Sequence, residues 1–232
     1  QAEVLLPHLD RYQIREDVQC SDHSHNWQQW ALCGPRSESL CEEILGLNID
    51  SGNLCFAQTT WEGIRLRCCR TDVFGLPGFL LQIESETADS LAEALATEAS
   101  ECEAAIFDFL RIRAGSPLFS QDISPKNFPQ EIDRDARAIS FNKGCYLGQE
   151  TIARIDALGQ VQQLLRQLAV FDADPLPVAG DPLTAVGKLA GHFTSVGRNP
   201  EDGQIVALGI VRRAYADSGF ELAFNSGKVK VV

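Results

Sequence analysis

The segment Ala138-Ile-Ser-Phe-Asn-Lys-Gly-Cys-Tyr-Leu-Gly-Gln-Glu-Thr-Ile-Ala-Arg154 decides how the rest of the chain is read. At its centre, Lys143-Gly-Cys-Tyr-Leu-Gly-Gln-Glu150 sets a cysteine in a glycine-flanked turn, one residue removed from a lysine. Gly144 and Gly148 are free to adopt positive φ or to admit a close backbone. Ile152 with Ile155, and Ala153 with Ala157, recur at spacings of three and four, which predicts a helix starting near Leu147. Cys145 then stands just before a helix N-terminus and beside a cation. Both features favour thiolate over thiol, so Cys145 is the candidate reactive group. The competing reading is a glycine turn that carries a buried structural cysteine, because free cysteine is among the most buried residue types.

Composition bounds the rest. A chain of 232 residues, 44% hydrophobic and 22% charged, has enough material for one large domain or two to three small ones. The formal net charge of −12 opposes a broad nucleic-acid face, which would need to neutralise phosphates. No apolar run approaches the roughly eighteen residues of a membrane span, so no membrane partner is expected. Eight cysteines without a C-x-x-C pair do not form a disulfide framework. Cys68 and Cys69 are adjacent on an expected strand and point to opposite faces. Mostly structural thiols in a reducing compartment follow, the cytoplasm, or the mitochondrion in a eukaryote. The chain has no Met and opens on Gln1, which reads as a fragment whose targeting segment, if any, is not visible.

Taken in order, residues 3–14 put Leu5, Leu6, Leu9 and Tyr12 on one face of a short helix. Residues 17–20 read as a strand, and His23 and His25 as solvated loop histidines in preference to a His-x-His metal pair. A strand is expected over 27–33. Ser39 with Glu42 forms a capping-box pattern before the stripe Leu40, Cys41, Ile44, Leu45 and the stop at Gly46. Strands over 64–70 and 78–83 and a helix over 87–97 complete an α+β unit. A helix over 102–113 carries Ile106, Phe109, Leu110 and Arg113 at helical spacing and breaks at Gly115 and Pro117. Residues 122–135 form a long polar loop, expected to line the same cavity as Cys145. Beyond Gly159, a strand over 164–171, a turn-rich break over 172–177 and short runs at 186–189, 205–211, 220–224 and 229–232 argue a small β-barrel or sandwich. Thr194 and Ser195 lie between two of these runs, where their hydroxyls bond a ligand or cap a turn, and the turn reading is preferred.

The 138–154 segment resembles the hallmark of the YgfZ-type folate-binding proteins, in the superfamily of the glycine-cleavage T-protein (aminomethyltransferase, GcvT). T-proteins are similar here but lack the cysteine. Two other stretches, Arg111-Ile-Arg-Ala-Gly-Ser-Pro117 and Phe128-Pro-Gln-Glu131, also resemble elements of the family. T-proteins typically carry a pterin-contacting glutamate where Arg113 stands, which speaks against aminomethyl transfer. Residues 160–163, Gln-Val-Gln-Gln, replace residues that tend to be basic in the family.

The resemblance implies an α+β architecture of several modules: a ferredoxin-like module over 1–98, the rest of the folate-binding core over 99–162, and a C-terminal β-barrel over 163–232, with the family's N-terminal part missing. It implies tetrahydrofolate or a derivative as cofactor, bound in a channel between modules, and iron–sulfur client or assembly proteins as partners, with an indirect role in tRNA thiomethylation. Cys145 would be the reactive group. Lys143 would lower its pKa or meet the folate's glutamyl tail, and Tyr146 would offer a flat face for a ring. Glu150 would orient a neighbour or the pterin amino groups, and Gln149, Arg113 and Arg154 complete the candidate cofactor-binding set. No metal ligand is expected. Two alternatives stand beside this reading: a tetrahydrofolate-dependent aminomethyltransferase, and a non-catalytic interaction module. T-proteins rely on an Asp in their N-terminal portion, which this chain does not contain.

Overall fold

Alternation of buried and open positions builds the first sheet. Leu66 and Cys68 on one strand, and Phe79, Leu81 and Ile83 on another, turn inward while their neighbours turn out. The computed structural model describes residues 1–50, 52, 54–171, 173–225 and 227–232. The chain divides into two units, residues 1–72 with 76–101, and residues 73–75 with 102–232.

The first unit runs α1 (Ala2–Asp10), β1 (Trp27–Cys33), α2 (Ser37–Leu45), β2 (Phe56–Trp61), β3 (Ile64–Thr71), β4 (Gly78–Glu84) and α3 (Ala88–Ala96). The four strands make an antiparallel sheet in the order β1-β4-β3-β2. Leu40, Cys41 and Leu45 of α2 and Leu91 and Leu95 of α3 pack on it, so both helical stripes face the core as their spacing predicts. Cys41 and Cys68 lie in that core as free thiols. The hydrogen bond to Cys41 and the loss of water push the Cys68 thiol up, which keeps it protonated and inert.

Three expectations fail in this unit. Residues 17–20 form no strand, and β2, an edge strand with Gln58, Thr59 and Thr60 at its centre, takes that place in the count. Ser39 is not the cap of α2, because the helix already begins at Ser37, and its hydroxyl donates back to the Arg36 carbonyl at 3.0 Å. The stripe on α1 buries nothing: Leu5 and Leu9 remain 51% and 47% exposed.

The second unit holds α4 (Ala104–Arg113), α5 (Asp135–Ala138), α6 (Gln149–Leu158), β5 (Gln163–Phe171), β6 (Pro182–Ala185), β7 (Lys188–Arg198), β8 (Ile205–Arg212), β9 (Glu221–Phe224) and β10 (Gly227–Val231). The six strands close a barrel in the order β10-β5-β8-β7-β6-β9, so the α+β architecture with a C-terminal barrel stands. Closure gives every strand of the barrel a partner on both sides, with β6 meeting β9 at the single pair Thr184–Ala223. Leu168, Leu183, Phe193, Leu222 and Val229 fill it, with Phe193 and Phe224 edge to face at 5.3 Å. The expected run at 186–189 is instead the β6–β7 turn and the first residues of β7. Val186 sits there at φ 49°, 94% exposed. Of the expected break over 172–177, Asp172 lies outside the described residues. Ile112 of α4 packs with Leu165, Leu208 and Ile210 on the outside of the barrel. No helix among the described residues is long and apolar enough to cross a membrane.

Candidate functional site

Residues 139–148 carry no helix or strand and link α5 to α6. Cys145 is exposed within this link, so the buried-thiol reading does not hold. Gly148 caps α6 at φ 87°, a left-handed conformation that a side chain resists, and its carbonyl accepts from Ile152 N at 3.2 Å. Gly144 needs no such freedom: its φ is not positive, and a Cβ there would meet nothing within 4 Å. Gly148→Ala should therefore cost about 1–2 kcal/mol and Gly144→Ala less than about 0.5, as read by urea unfolding. Equal costs would contradict the assignment of the strained turn to Gly148.

The Lys143 ammonium lies over the Tyr146 ring, 4.5 Å from its centroid. A cation–π contact thus occupies the ring face that the sequence offered to a ligand. Gln149 is half-buried, while Glu150 and Arg154 are exposed one turn apart on the same side of α6. Arg113 is also exposed, at the C-terminus of α4, with its guanidinium 5.3 Å from the Phe109 ring centroid.

The Pro-Gln-Glu element fixes the loop before this segment. Gln130 and Glu131 are buried in a short 3₁₀ turn, Pro129–Ile132. Gln130 Nε2 donates to the Ile152 carbonyl of α6 at 3.0 Å. Glu131 Oε2 accepts from Asn127 Nδ2 at 3.1 Å and from Gln163 Nε2, on β5, at 3.2 Å. This element therefore ties the loop to α6 and to the barrel. It also borders a hollow of about 320 Å³, whose walls include Gln130, Asp133, Asp135, Asp156 and Arg166. The long loop does line a cavity, but none of Arg113, Lys143, Cys145, Tyr146, Gln149, Glu150 and Arg154 is among that cavity's lining residues.

The strongest polar cluster escaped the sequence. Arg111, 1% exposed on α4, donates through Nη1 to Asp122 Oδ2 at 2.8 Å, through Nη2 to Ser195 Oγ at 3.0 Å and through Nε to Asp108 Oδ1 at 2.7 Å. Asp122 Oδ1 accepts from the hydroxyls of Thr194 and Ser195, both at 2.6 Å, and Oδ2 also accepts from Leu118 N at 2.9 Å. The register of β7 against β8 shifts between Phe193 and Ser195. That bulge breaks the in–out alternation, so Phe193, Thr194 and Ser195 are buried in succession and both hydroxyls reach one carboxylate. Thr194 and Ser195 are thus strand residues, not a turn. The cluster is internally satisfied and braces α4 to β7; the only clue to it in the sequence is an arginine between Phe109 and Ile112 on the helix's buried arc. His23 is exposed and bonded to Ser21 Oγ at 2.9 Å. Among the described residues no three or more His, Cys, Asp or Glu are placed to hold a metal ion.

Comparison with known proteins adds the family. The family model for the GCVT N-terminal domain matches residues 1–143. An aminomethyltransferase of Rubrobacter xylanophilus is 27% identical over 229 residues, which is 97% of this chain and 60% of that protein. The tRNA-modifying protein YgfZ of Yersinia enterocolitica is 38% identical over 113 residues, 47% of this chain and 34% of that protein. The crystal structure of glycine cleavage system aminomethyltransferase T from Bartonella henselae superposes with a TM-score of 0.74 at 23% identity, over 88% of this chain and 57% of that one, and so shares the fold. The chain spans about 60% of the length of the aminomethyltransferase it matches. It belongs to the GCVT N-terminal domain family, in the superfamily of the glycine-cleavage T-protein.

Proposed function

We propose that this chain belongs to a folate-binding protein of the YgfZ type, which supports the assembly or repair of iron–sulfur enzymes and, through them, tRNA modification. The observation that carries this reading is the exposure of Cys145 within a cysteine-bearing motif that T-proteins lack. Cys20 and Cys102 are exposed as well, so it is the motif together with exposure that sets Cys145 apart from the buried Cys41 and Cys68, at 1% and 0% exposure. Tetrahydrofolate or a derivative is the cofactor of this reading. Lys143 and Tyr146 form a ready pair at the motif: a glutamyl carboxylate that approaches Lys143 meets a cation already seated on an aromatic face. Gln149, Glu150 and Arg154 present amide, acid and cation along the first turns of α6, with Arg113 a further candidate.

Complementation of a strain lacking the gene tests the role of the thiol. Cys145→Ala in the full protein is expected to lose the iron–sulfur function while its folate affinity stays unchanged. Full rescue by the variant would remove the thiol from the mechanism. The match of 97% of this chain to 60% of an aminomethyltransferase favours a second reading, tetrahydrofolate-dependent aminomethyl transfer. Arg113 in place of the T-protein glutamate weighs against it. Formation of methylene-tetrahydrofolate from an aminomethyl donor would decide for that second reading.

A further inference from the structure

Arg113 stands in solvent, yet it is held at both ends. It closes α4, and its carbonyl is one of the last-turn acceptors that a helix leaves without an intrahelical partner. Gln167, half-buried on β5, donates from Nε2 to that carbonyl at 2.6 Å. The amide is rooted in the barrel wall. Gln167 pairs in register with Leu208 of β8, and its own carbonyl accepts from Val232 N at 3.0 Å. The turn that follows is packed as closely. A Cβ at Gly115 would stand 3.2 Å from Gln167 Cδ, and one at Gly75 would stand 3.2 Å from Ala114 Cβ.

The head group is placed as well. The guanidinium lies 5.3 Å from the ring centroid of Phe109, one turn back on α4, and Phe109 is itself 3% exposed. Arg113 forms no ion pair among the described residues, whereas Arg111 is spent on Asp122 and Asp108. A long exposed side chain gives up rotamer freedom when it takes a ligand, and a side chain fixed beforehand gives up less. A guanidinium has donors and no acceptor, so the group it recognises is an acceptor, best a carboxylate in bidentate geometry. In a reduced folate the glutamyl carboxylates have that chemistry.

We propose that Gln167 is a positioning residue for ligand recognition: by holding the Arg113 carbonyl, it fixes where the guanidinium meets a glutamyl carboxylate of the folate. The inference rests on the folate reading, and its test separates the two. Calorimetric titrations of 5-formyl-tetrahydrofolate into the folded full-length protein, Gln167→Met, Arg113→Ala and the double variant make a thermodynamic cycle. Gln167→Met keeps the length of the side chain and its packing on Gly115 and removes the N–H donor. It should weaken binding about fivefold, the loss of one neutral hydrogen bond's worth of positioning, and Arg113→Ala about tenfold. The double variant should bind no more weakly than Arg113→Ala alone, because Gln167 acts through Arg113. Urea unfolding alongside confirms that each variant is folded, and Gln167→Glu, of the same shape and without the N–H, replaces a Met variant that is not. Parent affinity in Gln167→Met, the same fivefold loss on the Arg113→Ala background, or no loss in Arg113→Ala itself overturns the inference and leaves folate binding standing. No saturable heat from the folded parent removes the folate reading and the inference with it.

Discussion

Asp122→Ala is expected to destabilise the carboxy-terminal unit by about 3–5 kcal/mol, the cost of leaving a buried charge without its partner. The Asp122 side chain is 0% exposed and that of Arg111 is 1% exposed. Removing the carboxylate takes away one ion pair and the acceptor for Thr194, Ser195 and Leu118 N at once. Arg111 would keep Ser195, the Ser116 carbonyl and Asp108, whose side chain is 44% exposed. Those contacts replace little of a buried counter-charge. Replacing both partners with apolar side chains, Arg111→Met with Asp122→Leu, should recover much of the loss, because no unpaired charge then stays inside. Urea unfolding of the two variants and the parent provides the measurement. A double variant as unstable as Asp122→Ala would show that the cost comes from shape and hydroxyl pairing, not from the charge.

Gly191→Ala is the second large effect, and its origin is steric. A Cβ at Gly191 would stand 2.1 Å from the Ile210 carbonyl oxygen and 3.0 Å from Val211 Cα. Both are backbone atoms of β8, paired in register with β7, so neither yields without breaking the ladder. A loss at or above about 3 kcal/mol is expected, the top of the range for overpacking. Loss of soluble protein would meet the expectation, and a melting temperature within about 2 °C of the parent would contradict it.

Much of this architecture was legible because local pattern and burial agree. The stripes of α2 and α3, the strands β1, β3 and β4, the start of α6 and most barrel strands follow from apolar spacing alone. The failures share a physical cause. Strand β2 is a half-exposed edge strand rich in Gln and Thr, so it lacks the apolar run that marks a strand. The stripe of α1 looks like a core face, yet periodicity does not say whether a partner covers it. Thr194 and Ser195 read as turn residues because they are polar. What makes their burial tolerable is a carboxylate seventy-odd positions away, together with a bulge that no local rule marks. Arg113 ends the helix in solvent, whereas Arg111, two positions earlier and of the same residue type, carries the interior charge. Within the candidate site, the left-handed glycine before α6 was foreseeable, whereas the exposure of Cys145 was not, because residue type alone favours a buried thiol. The seating of Lys143 on Tyr146 and the separation of the motif from the acidic hollow were not, since both depend on side-chain placement.

The account rests on folate recognition that does not require the thiol. Its most direct test is calorimetric titration of 5-formyl-tetrahydrofolate into the folded full-length protein and into its Cys145→Ala variant. Saturable heat with the same affinity in both is the predicted result. No heat from the folded parent protein would contradict folate binding outright and leave a non-catalytic interaction module as the better reading.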